Sequence, residues 1–176
     1  MRNGPPDALG ITDPADLLHR EDVLVDDESA VIPHEHHAQL YDGIEGMVVV
    51  GARDEAGRLL LQVSREELFA ALPHATVAPG ENWTQRARDA VAETAGVVVR
   101  VDGVRRVKRR RYRRPDDETA TEGYQVFVDA TPVGEQTPAP PAEVVAEWTV
   151  GWHDEVPVPT TDENEETVAD IRAFLD

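Results

Sequence analysis

The chain has 176 residues, with 35 acidic against 17 basic side chains and a formal charge of −18. That length is enough to bury the core of one domain, and the absence of cysteine excludes disulfide frameworks, cysteine nucleophiles and thiolate metal sites. The longest apolar runs, such as Met47 to Val50, are too short to span a bilayer, and no signal-peptide pattern opens the chain, so a cytoplasmic protein is expected.

Residues 1–40 are polar, acidic and punctuated by proline, and read as an N-terminal extension to a domain over 41–176. Within the extension Pro14 to Leu18 predicts a short helix capped by Asp13, and Val23 to Val25 a weak strand. Ile44 to Ala52 and Arg58 to Val63 are apolar runs joined by Asp54-Glu55-Ala56-Gly57, a hairpin-type turn signal. Leu72 to Val77 leads through Ala78-Pro79-Gly80-Glu81 to a predicted helix over 82–95. Its apolar positions recur at Ala87, Val91 and Ala95, Asn82 caps it and Gly96 ends it.

Val97 to Val101 and Val104 to Tyr112 read as two strands about an Asp102-Gly103 turn, and Gly123 to Ala130 as a third. Thr131 to Ala142 is a proline-rich loop, Val144 to Val150 a further strand, and Thr161 to Asp176 a closing helix. Val168, Ile171 and Leu175 share one face of that helix. Strands, one central helix, more strands and a last helix make an α+β domain.

The segment Leu72 to Val97, LPHATVAPGENWTQRARDAVAETAGV, resembles the Nudix box: glycine, five residues, glutamate, seven residues, then Arg-Glu-aliphatic-any-Glu-Glu-any-Gly-aliphatic. Glu81, Val91, Glu93, Gly96 and Val97 fall on their places. Ala75 stands for the leading glycine, Asp89 for the arginine, and Ala90 and Thr94 for two of the three helix glutamates. The likeness implies a Nudix-like mixed β-sheet sandwiched between helices. It also implies a hydrolase of a nucleoside diphosphate-linked compound that uses Mg²⁺ or Mn²⁺, with Glu93 catalytic and Glu93 and Glu81 at the metal. Three helix carboxylates normally converge on the hard cations that activate water and neutralise phosphoryl oxygens. With one of three left, the competing expectation is an inactive module of the same fold that binds a nucleotide or regulates.

The charge is unevenly spread. Arg105 to Arg114 holds eight basic residues in ten, including Lys108, the one lysine of the chain. Arginine replacing lysine on an acid-rich surface resembles proteins adapted to molar salt, where self-repulsion is screened. In the Nudix fold the strand after the box helix borders the substrate cleft, so Arg109, Arg111 and Arg113 are candidate substrate-binding residues for phosphate oxygens. The opposing expectation is that these arginines pair with the acid surface and blunt a sheet edge.

The partner these features favour is a nucleotide-type small molecule. Nucleic acid is disfavoured because salt weakens such contacts steeply, no membrane contact is expected, and a homodimer is compatible with the pattern. His34, Glu35, His36 and His37 have ligand chemistry but adjacent positions that do not converge on one ion, and read as a solvated loop. Trp83, Trp148 and Trp152 are read as core residues, one of them an alternative platform for a nucleobase.

Overall fold

The computed structural model describes residues 20–21, 23–31, 46–64, 66–113, 120–139 and 148–175. The predicted Pro14–Leu18 helix and the His34–His37 cluster lie outside them. Eight strands and two helices follow in the order β1 Leu24–Val31, β2 Gly46–Ala52, β3 Leu59–Ser64, β4 Phe69–Ala71, β5 His74–Val77, α1 Trp83–Ala95, β6 Val99–Arg113, β7 Ala120–Pro132, β8 Trp148–His153 and α2 Glu165–Leu175. A five-stranded mixed sheet has the order β1-β6-β7-β2-β5, and a three-stranded antiparallel sheet the order β4-β3-β8. The α+β expectation is met.

Alternation along the central strands divides the core. Val48, Val50 and Ala52 of β2 and Val126, Val128 and Ala130 of β7 pack with Ala87, Ala90, Val91 and Ala95 of α1. Val49 and Phe127 point the other way, into a second cluster with Ile171 and Phe174 of α2. A strand buried on both faces reads as a continuous apolar run, which is why Met47 to Val50 shows no alternation in sequence.

Two strand expectations need correction. The Asp54–Gly57 turn forms, with the Gly57 N–H donating to the Asp54 carbonyl at 3.0 Å and Gly57 at a φ of 81°. The runs it joins do not make a ladder, however: beyond a single bridge at Arg53 and Leu59 they part into different sheets. The turn residues dictate a reversal, but each strand then follows the partner that covers its apolar faces. Likewise Asp102-Gly103 is not a turn. β6 runs through it as one strand whose register against β7 shifts between Val101 and Gly103 and again between Val104 and Arg106. Bulges use the same small and polar residues as turns, and here they re-aim the face of the strand.

β1 belongs to the stretch read as an extension, yet it pairs in parallel with β6, setting Asp26 beside Lys108 and Asp27 beside Arg109. α2 is seated by an uncommon arrangement. Lys108, 5% exposed, reaches Asp170 at 2.9 Å and Glu166 at 3.6 Å, and its ammonium lies 5.2 Å from the Phe127 ring centre. Arg105 lies over Phe174 at 4.8 Å and donates to the Ala173 carbonyl at 3.1 Å. The cations of β6 thus hold the inner face of α2 by charge and by ring contact together. At the other end of α2, buried Asn164 donates to the Leu68 and Pro159 carbonyls, both at 2.9 Å, pinning the helix start to the β3–β4 turn.

Candidate functional site

The box helix forms for local reasons. The Asn82 side chain accepts from the Gln85 N–H at 3.0 Å, and Gly96, at a φ of 66°, closes the helix by donating to the Ala92 carbonyl at 2.9 Å. In the loop before it, the Glu81 carboxylate accepts from the Ala78 N–H at 2.7 Å while the Glu81 N–H donates back to the Ala78 carbonyl at 3.0 Å. Glu81, expected at a metal, is thereby engaged in shaping the loop.

On the helix, Trp83, Thr84, Ala87, Ala90, Val91 and Ala95 form the buried face. Ala90 is 1% exposed, and sits among the valines of β2 and β7. Glu93 is exposed, on the outer edge shared by Arg86 and Asp89. Both oxygens of Asp89 are taken within the helix: Oδ1 accepts from Gln85 Nε2 at 3.0 Å and Oδ2 from Arg86 Nη1 at 3.2 Å. Arg86 also donates through Nε to the Thr76 carbonyl at 3.1 Å, tying the helix to β5. An Asp89–Glu93 pair sharing a cation is therefore opposed by the arginine already on Asp89.

Among the described residues no three histidine or acidic side chains come together to hold a metal ion. The divalent centre that an intact box would build does not fit the residues present there: one carboxylate is exposed, one is bound to the loop backbone, and the other two positions are Ala90 and Thr94. Glu143 and Glu147, two further acids that the sequence offers for such a centre, lie outside the described residues.

The basic stripe is extensively paired where its side chains are described. Arg105 meets Asp129 at 2.9 Å, Arg106 meets Asp26 at 2.5 Å, Lys108 meets Asp170, and Arg109 meets Asp27. These acids lie far from the stripe in sequence and come to it through β1, β7 and α2. The acid-pairing expectation thus holds for these four residues, and Arg109 carries an acid partner where a phosphate contact was expected. The backbone of Arg111 and Arg113 continues β6, and their side chains lie outside the described residues.

A cavity of about 490 Å³ opens at the end of the molecule where β2 turns into β3. Asp54, Glu55 and Arg58 of that turn, Thr131 at the end of β7, Glu135, Gln136 and Thr137 of the following loop, and Trp152 of β8 line it. The loop is held to the end of the box helix. Gln136 accepts from the Val98 N–H at 2.9 Å and donates to the Val98 and Val133 carbonyls, and the Ala139 N–H donates to the Ala95 carbonyl at 2.9 Å. Sequence reading did not bring this constellation together: its residues come from three separated segments, of which the turn and the proline-rich loop carried only structural signals and Trp152 alone a candidate ligand contact. Trp83 is fully buried, and Trp148 meets Phe69 edge-on at 6.2 Å, so of the three tryptophans Trp152 lines the opening.

Asp54 shows how tightly the rim is wired. Its partial burial works against ionisation, but hydrogen bonds from the Arg58 backbone N–H and guanidinium, the Arg58 charge and the Ala56 N–H outweigh it, holding the carboxyl below its ordinary 3.8. A depressed carboxylate stabilises the fold above that ordinary value and loses the contribution as pH falls through the folded value. Asp54→Asn is expected to cost up to about 1 kcal/mol near pH 7, because the Arg58 pair is partly exposed. The difference from wild type should begin to shrink as pH falls below 3.8 and be smaller at pH 3 than at pH 7, as urea titrations at the two pH values would measure.

No family model matches the chain, and no curated protein matches it in sequence. Among solved structures it is similar to MutT described from Aliivibrio salmonicida and Vibrio cholerae, with 14% identity, 73% of this chain and 96% of that one covered, and a TM-score of 0.42. A Nudix hydrolase from M. smegmatis, RenU, is 20% identical over 76% of this chain and 89% of its own, with a TM-score of 0.45. One from Nitrosomonas europaea is 20% identical over 64% and 61%, with a TM-score of 0.41. Among the described residues no helix is long and apolar enough to cross a membrane.

Proposed function

We propose that the two sheets and their helices form a Nudix-type domain, of hydrolase ancestry, that binds a nucleoside diphosphate-linked compound and has lost canonical metal-dependent hydrolysis of it; β1, from the stretch before residue 41, is part of its larger sheet. The observation that carries this reading is Ala90. A ligand position of the box helix is here a core position, 1% exposed, and Glu93, on the outer edge of the helix, is the one glutamate left of the three. Losing two of three helix carboxylates removes several kcal/mol of metal and transition-state stabilisation. Arg111 and Arg113 are the proposed phosphate contacts, since Arg109 is held by Asp27. The protein is proposed to work in a salt-rich cytoplasm.

A second reading, weak hydrolysis with Glu93 and Glu81 at Mg²⁺ or Mn²⁺, is favoured by one observation: Glu93 is exposed and makes no ion pair with any described residue. The two are separated by purified protein in molar KCl with Mg²⁺ or Mn²⁺, assayed against nucleotide sugars, dinucleoside polyphosphates, ADP-ribose and NADH. Lost hydrolysis predicts no turnover above background, no change in Glu93→Gln, and no stabilisation by Mg²⁺ beyond that of KCl. Nucleotide binding should persist and fall about tenfold in Arg111→Ala/Arg113→Ala, the loss expected for a charge-assisted hydrogen bond. Turnover that disappears in Glu93→Gln would establish the second reading instead.

A further inference from the structure

We propose that β1 is a self-blocking strap: its carboxylates occupy guanidinium forks of β6 that would otherwise take a phosphate group, so that β1 and a phosphate ligand compete for them. The inference rests on the reading of the arginine strand as a phosphate contact and not on the state of the box helix.

β1 comes from before residue 41 and forms the edge of the larger sheet. Its register sets Asp26, Asp27 and Glu28 beside Lys108, Arg109 and Arg110, acid against base at three successive positions. The contacts are forked. Arg106 places Nε and Nη2 both at 2.5 Å from Asp26 Oδ2. Arg109 donates through Nε to Asp27 Oδ1 at 3.3 Å and through Nη2 to Asp27 Oδ2. Two N–H donors on the two oxygens of one acid is an arrangement that a guanidinium makes equally with phosphate, so the Asp27 carboxylate stands where a phosphate would. The acids of β1 stop short of the proposed phosphate contacts: across the ladder from Arg111 and Arg113 are Ser29 and Val31. A fork released at Arg109 would extend that unblocked stretch.

The cations of β6 are secured in two ways. Arg105 and Lys108 are bound into the body of the domain, by Asp129 of β7 and Asp170 of α2. Arg109 is bound to β1, and Arg106 lies between, 3.9 Å from Asp170 as well as on Asp26. Among its described residues β1 has little apolar hold. Val23, just before it, is buried, but Leu24 and Val25 are 67% and 41% exposed. The carboxylates of Asp26 and Asp27 also remain partly open to solvent, and ion pairs of that kind are weak and screened by salt. An edge strand held by its backbone and by such pairs is one that a stronger anion can displace.

Isothermal titration of the full chain with inorganic pyrophosphate tests this, in the lowest KCl concentration at which circular dichroism shows every variant folded. Asp26→Asn/Asp27→Asn keeps the shape of both side chains and removes their charge. It should bind pyrophosphate about tenfold more tightly than wild type, the gain expected where about a tenth of the wild-type forks stand open. Adding Arg109→Gln should cancel the gain. Glu55→Gln/Glu135→Gln makes the same change of charge at the opposite end of the sheet, and should alter affinity by about twofold or less because salt screens distant charges. In wild type, which needs no substitution, saturating pyrophosphate should speed amide hydrogen exchange across β1. Equal affinity of wild type and the double Asn variant would overturn the block by β1 while leaving phosphate binding in place. So would a gain that survives Arg109→Gln or is matched at Glu55 and Glu135, or β1 exchange that pyrophosphate leaves unchanged or slows. Absence of pyrophosphate binding to both proteins would overturn this inference together with the phosphate role of the arginine strand.

Discussion

Ala90→Glu, which would return the first helix carboxylate of the box, is expected to unfold the domain and not to revive a metal site. Ala90 is 1% exposed and belongs to the cluster formed by α1 with β2 and β7. A carboxylate there has no cation within the cluster, and an unpaired buried charge is among the few single changes that cost more than about 4 kcal/mol. That is comparable to the whole stability of a typical domain, roughly 5–15 kcal/mol. Thr94→Glu is the control. Thr94 is only half-buried, and the change should stay within about 1 kcal/mol.

Denaturant titration of both variants in molar KCl measures the contrast. The Ala90→Glu penalty should also depend on pH. Burial raises the carboxyl's folded pKa above its unfolded value of about 4.3, so the loss is smallest in acid and grows as pH rises towards the raised value. An Ala90→Glu protein as stable as wild type, and further stabilised by Mg²⁺, would mean that this helix face is a site after all and not core.

The contrast also marks what a sequence can disclose. The box helix was legible to the residue, because its signals are local: Asn82 and Gly96 act within one turn of the chain. The degeneracy of the box was legible for the same reason, as a matter of which residues stand where. The meaning of the substitutions was not, since whether Ala90 lies at a cleft or in the core depends on β2 and β7, tens of residues away. The arginine stripe gives the same lesson in charge. Its eight basic residues announce a positive strand, yet Asp26, Asp129 and Asp170 reach it from three other elements. Asp102-Gly103 and Asp54–Gly57 carry similar residues, and only long-range pairing made one a bulge and the other a turn between two sheets.

Gly46→Ala is the second change expected to have a large effect, and it probes the joint between the larger sheet and the box helix. Gly46 pairs with Tyr124 where β2 enters the sheet in parallel with β7. A β-carbon at Gly46 would stand 1.9 Å from the Tyr124 carbonyl oxygen, 2.8 Å from its carbonyl carbon and 2.9 Å from the edge of the Trp83 ring. The first two are backbone atoms of an interior strand, so relief requires β2 and β7 to part, or Trp83 and the first turn of α1 to move with them.

A loss at or above about 3 kcal/mol, the upper range of overpacking, is expected in denaturant titrations. Gly51→Ala provides the internal comparison. Its β-carbon would lie 2.3 Å from the Phe174 ring, a side chain carried on the closing helix. A clash with a side chain can be removed by trimming that side chain, so Phe174→Leu should recover part of the Gly51→Ala loss once the cost of Phe174→Leu alone is subtracted. No side-chain change can clear the Tyr124 carbonyl, so Gly46→Ala should resist every such rescue. A Gly46→Ala protein milder than Gly51→Ala would show that the β2–β7 ladder yields at its start, and would remove the argument that this glycine fixes the entry of β2 beneath the box helix.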